Sequence, residues 1–235
     1  MRRRRRIPIA LALLGFLGCA SYRLPYTQPP GANEPTDAHR ATLVFLWPST
    51  SCDPAGYFTL ATSDGEFLGN ISRGSRLSVP VPAGERTIVA WNDVVEAASG
   101  WMKTATVPVL HADLREGRTY YVRMMLGEWD ERGPVVRWYR SSKGRIPVRR
   151  CAAVTESTTS AMAVLSPGSE GWHDVPEWMA ALDTIVPDRA AGQAWLDQNR
   201  ASLDAHVAVA QDRFLALRPR ARMLATIEPA DGAPR

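Results

Sequence analysis

Between Ala41 and Tyr139 the chain breaks into short β-type runs closed by glycine and proline turns, with no helical period between them. The runs are Ala41 to Trp47 before Pro48, Tyr57 to Ala61 before Asp64-Gly65, Glu66 to Ile71, and Arg76 to Val81 before Ala83-Gly84. Arg86 to Trp91, Thr104 to Leu110, Thr119 to Leu126 after Glu116-Gly117, and Val135 to Tyr139 complete the set. Asp-Gly between two such runs is a hairpin signal, because the tight turn needs a residue that tolerates positive φ. About eight short strands in roughly a hundred residues predict a mainly β chain. The expected architecture is an antiparallel β-sandwich of about seven or eight strands over residues 41–150.

The period then changes. Residues 151–173 are rich in Ser, Thr, Gly and Ala and read as a linker, with room for one more strand at Ala161 to Leu165. Asp174 is the expected N-cap of a helix with Pro176 and Glu177 in its first turn, and Trp178, Leu182 and Ile185 fall on one face. After Pro187, the residues Leu196, Leu203, Val207, Ala210, Phe214 and Leu217 recur at spacings of seven, four, three, four and three. That is an apolar helical stripe, interrupted at Asn199 and Arg200 and ended by Pro219. Residues 174–220 are therefore expected to form a helical C-terminal extension, and residues 221–235 a tail. The stripe either docks on an open face of the sandwich or, being close to a heptad seam, pairs with a helix of an envelope partner or of a second copy of the chain.

Ahead of the β region the N-terminus has the parts of a secretory signal. Arg2 to Arg6 form a positive cluster, Ile7 to Leu17 an uncharged apolar run of about eleven residues, and Gly18 a small residue before Cys19. The run falls short of the roughly 20 apolar residues a finished transmembrane helix needs. Phe16-Leu17-Gly18-Cys19-Ala20-Ser21 resembles a lipobox, with Phe16 where that pattern usually has Leu. The resemblance implies cleavage after residue 18 and lipid on Cys19, and several acyl chains at one residue give stable anchoring. Ala20 in place of Asp after the cysteine points to the outer membrane, with the body on its periplasmic side. Residues 19–40, rich in Pro, Gly, Asn and Thr, are expected to be a flexible tether with an r.m.s. reach of about 26 Å.

This address changes the meaning of the charge. The whole chain carries 28 basic and 24 acidic residues, a formal +4. Without Arg2 to Arg6 the count is 23 against 24, so the basic balance says nothing about nucleic acid, and none is expected as a partner.

Several motifs are similar to those of a bacterial lipoprotein domain grouped as domain-of-unknown-function family 2846. They are Leu46-Trp47-Pro48-Ser49, the Asp64-Gly65 hairpin with Gly69, the turn Val81 to Thr87, and Leu114 to Val122. The likeness spans residues 41–126 and overlaps with PEGA-like sandwiches. It implies a β-sandwich on an envelope lipoprotein and brings no catalytic residue with it.

Four sets of side chains are candidates for chemistry. Cys52 and Cys151 flank the sandwich in an oxidising compartment and are either a disulfide or two thiols too far apart to bond. Arg137, Arg140, Lys143, Arg145, Arg149 and Arg150 lie in a stretch without an acid, either a face for anionic headgroups or a solvated strand and turn. Trp101 and Trp129, read as loop aromatics beside carboxylates, are either sugar-stacking platforms or core plugs. The four histidines are scattered, and no nucleophile, metal or cofactor motif is present. The expected role is a non-catalytic binding or scaffolding protein of the envelope; the alternative is a glycan-binding protein or hydrolase that uses those aromatics and carboxylates.

Overall fold

The structure is a computed structural model. It describes residues 24–29, 31–33, 37, 39–48, 56–92, 105–130, 133–134, 158–169 and 171–234, with backbone only at residues 105, 125–130, 133–134 and 158–161. The strands are β1 (Ala41–Trp47), β2 (Tyr57–Thr62), β3 (Phe67–Ser72), β4 (Ser75–Val81), β5 (Gly84–Asn92), β6 (Ala105–Thr106), β7 (Leu110–Leu114), β8 (Arg118–Asp130), β9 (Gly133–Pro134) and β10 (Thr158–Leu165). Then follow α1 (Val175–Ala181), β11 (Asp183–Ile185), α2 (Arg189–Gln198), α3 (Arg200–Ala216), α4 (Pro219–Leu224), β12 (Thr226–Ile227) and β13 (Ala233–Pro234).

The strands form two sheets. One runs β10-β8-β1-β4-β11, with β9 and β13 also on β8; the other runs β12-β7-β5-β2-β3, with β6 on β5. Every residue of β1 except Thr42 is buried, and the strand's two faces serve different layers. Leu43, Phe45 and Trp47 join Leu60, Leu77, Ile88 and Tyr120 in the core between the sheets. Val44 and Leu46 point the other way, into a cluster with Leu165 and Val175 on which Trp172, Trp178 and Leu182 pack. The second sheet is covered in the same manner, since Ala61, Phe67, Val89 and Trp91 meet Leu196, Leu203 and Ala210 of α2 and α3. Four layers result, helix on sheet on sheet on helix. Both faces of each sheet being buried explains why the strands read as continuous apolar runs.

Local signals set the turns. Gly65 at φ 101° makes the β2–β3 hairpin, with Thr62 Oγ1 accepting from Glu66 N at 2.8 Å. Asp188 caps α2 by accepting from Ala191 N at 3.1 Å. At Ala210 the helix α3 lies so close to the sheet that its carbonyl accepts from Val109 N at 3.2 Å.

The mainly β sandwich with C-terminal helices is as expected, but its sheets are mixed. Strand β8 runs parallel to β1, β11 parallel to β4, and β12 parallel to β7. Because the chain switches sheets repeatedly, a strand can return beside a distant one in either direction without a helical crossover. The helix expected to reach Ile185 stops at Ala181; Leu182 turns extended, and Ile185 enters the inter-sheet core on β11. The apolar run to Leu110 is not one strand, since Pro108 has no N–H to give and the ladder resumes as β7. Helix α3 stops at Ala216, just ahead of Pro219, but Pro219 then opens α4, occupying its first turn where a missing N–H costs nothing. The tail is docked: β12 and β13 pair with β7 and β8, joined through a turn in which the side chains of Glu228 and Asp231 each accept from the other's backbone. Residues 24–28, placed in the tether, are docked too, as described below. Residues 135–157, with the run Val135 to Tyr139, lie outside the described residues.

Gly192 tests the helix–sheet contact. A Cβ there would run into the ring of Phe67, itself 1% exposed. In an open helix Gly→Ala gains about 1 kcal/mol, whereas Gly192→Ala is expected to lose about 1–3 kcal/mol in urea unfolding. The loss should shrink in a Phe67→Leu background.

Candidate functional site: the seat of the N-terminal segment

The segment Leu24-Pro25-Tyr26-Thr27-Gln28 crosses one side of the sandwich where both sheets have an open edge, β3 in one and β11 in the other. Its turn is closed locally, with Thr27 Oγ1 donating to the Leu24 carbonyl at 2.9 Å. Leu24 packs against the inter-sheet core. The Pro25 carbonyl accepts from Asn70 Nδ2 at 2.9 Å, and Asn70, on β3, is fully buried. Backbone bonds from Asp188 N to the Tyr26 carbonyl and from Gln28 N to the Val186 carbonyl, both 2.8 Å, tie the segment to the stretch after β11.

Tyr26 carries the rest of the contact. Its ring stands edge-on to Phe67, with centroids 6.0 Å apart, and lies 5.5 Å from Trp195 of α2. Burial pushes its phenol above the usual value of 10.0. Its φ of 53° is left-handed, a conformation that costs a non-glycine residue about 1–2 kcal/mol and persists only when neighbours hold it. Here two backbone hydrogen bonds and two aromatic rings do so. The seat thus joins the two sheets at this side, through the Asn70 side chain of β3 and through Val186 and Asp188 just past β11.

Two other places gather polar side chains. Between α3 and the second sheet, His206 Nδ1 shares a hydrogen bond with Thr106 Oγ1 at 3.0 Å and stacks on Trp91, while Arg213 donates to the Thr106 carbonyl. His111 Nδ1 meets Thr87 Oγ1 at 3.2 Å and packs edge-on to Phe214. These histidines lace a helix to a sheet. Among the described residues no three His, Cys, Asp or Glu side chains converge as metal ligands. Under α1, Arg123 and Arg76 flank Leu46 across three strands, and the Arg123 guanidinium lies 4.9 Å from the centre of the Trp178 ring. Tyr121 beside them has its phenol raised by burial, with the Arg76 charge pulling it back.

Of the side chains singled out in the sequence, Cys19, Cys52, Cys151, Trp101, Arg137, Arg140, Lys143, Arg145, Arg149 and Arg150 lie outside the described residues. Trp129 is on strand β8, its backbone paired with Pro134 on β9, and not in a loop. Among the described residues no helix is long and apolar enough to cross a membrane. Sequence reasoning missed the seat because three anchoring residues, Leu24, Pro25 and Tyr26, are too few to show a period. Comparison with protein-family models, curated proteins and solved structures returns no match to this chain.

Asn70→Ala would leave the Pro25 carbonyl without its donor, and is expected to destabilise the fold by about 1–3 kcal/mol. Hydrogen exchange should rise at Gln28 and Asp188, with α3 unchanged. A second outcome concerns pH. Burial lowers His111 below the ordinary imidazole value of 6.5, so the unfolded chain binds a proton that the folded one refuses. Stability should fall as pH drops through about 6.5 toward the folded value and level off below it; His111→Gln should flatten that part of the pH–stability curve.

Proposed function

We propose that the chain is a lipid-anchored protein of the cell envelope with a non-catalytic binding or scaffolding role. The observation that carries this reading is the order Arg2 to Arg6, Ile7 to Leu17, Gly18 and Cys19 a few residues ahead of Leu24, which packs on the core of the body. Export and anchoring are the work of the first part, and the second is a four-layer body. The resemblance of residues 41–126 to the family 2846 lipoprotein domain accords with it.

Expression in a Gram-negative host tests the reading. The native chain should partition into the detergent phase, and its N-terminal peptide should begin at Cys19 with the mass of its acyl chains. Cys19→Ser should move the protein to the aqueous phase. An intact Met1 to Gly18 segment on the purified protein, or partitioning that survives Cys19→Ser, overturns the proposal.

A further inference from the structure

We infer that the side of the body between β3 and β11 faces the lipid surface at close range, because the docked N-terminal segment converts the anchor into a short leash. The inference rests on the lipid-anchored reading and adds the surface and its orientation. Cys19 and Leu24 are five residues apart, and five residues span at most ~17 Å fully extended. A flexible tether of all 22 residues from 19 to 40 would instead have let the body tumble at about 26 Å. Cys19 therefore lies within that reach of Leu24, and the seat is the part of the described body held within it.

The chemistry of that side suits a headgroup layer. Tyr26 and Trp195 meet there, both only partly buried, and rings with a polar tip and an apolar body settle at the membrane–water boundary. Ala191 and Ala194, on α2 beside Trp195, are exposed and uncharged. On the opposite side β10 and β12 are the far edges of the two sheets and α4 packs along both, so Met223, 74% exposed, marks the part of the body away from the seat.

The test uses the full lipidated protein reconstituted in phosphatidylethanolamine–phosphatidylglycerol vesicles that carry an acceptor dye on the headgroups. A donor dye is attached through an azide-bearing residue at position 191 or at position 223. With a leash of at most ~17 Å, energy transfer from position 191 should exceed that from position 223 by about twofold or more. A flexible Gly-Ser stretch of about 20 residues inserted between Tyr22 and Arg23 leaves the seat intact and should bring the two values together. Tyr26→Ala, checked for a retained unfolding transition, should have the same effect by freeing the seat. Equal transfer from both positions in the native protein, or a difference that survives the insertion, overturns the inference. Flotation separates the two levels: a protein that floats with vesicles yet shows equal transfer keeps its anchor and loses its orientation, whereas one that fails to float loses both.

Discussion

Strand β1 has apolar side chains on both of its faces, and the rest of the architecture answers to that. Leu43, Phe45 and Trp47 need a second sheet, and Val44 and Leu46 need a helix. A sandwich alone would leave the second pair in water, at a loss of about 1.5–3 kcal/mol for each large side chain. The covering elements α1, α2 and α3 are therefore part of the core, and the chain after residue 174 is no appendage to a finished domain.

Burial on both faces also moves the polar chemistry to particular places. Helix α3 reaches the sheet through Ala210 and Leu203, small and apolar at the points of closest approach, and at its margins through His206, Arg213 and Phe214. Those side chains satisfy Thr106 and flank His111, so hydrogen bonding confirms a docking that packing already dictates. The Arg76 and Arg123 pair beside Leu46 is the same solution under α1, where long arginine stems cover apolar surface and one guanidinium rests on Trp178.

How far the residues spoke for themselves varied with length and period. Ala41 to Trp47 coincides with β1, and Asp64-Gly65 is the hairpin turn, because a mostly apolar seven-residue run and a glycine placed for positive φ are strong local signals. The stripe Leu196, Leu203, Val207, Ala210 and Phe214 is the face laid on the second sheet, with the break at Asn199 separating α2 from α3. Strands β11, β12 and β13 carry two or three residues each and have no period to read; they exist because neighbouring edges capture them. The seat escaped for the same reason. Leu24 and Tyr26 look like stray apolar residues in a polar stretch, and only the distant Asn70, Val186 and Asp188 give them a role.

The seat also imposes an order of events. Tyr26 waits for Asp188, roughly 160 residues later in synthesis, and the cost of closing so long a loop is met only when the intervening strands have already condensed. A nascent chain that has extended no further than β10 has its first docking residues loose and the β3 edge uncovered. Any chaperone handling it at that stage meets an adhesive strand, and the exposure ends when α2 arrives.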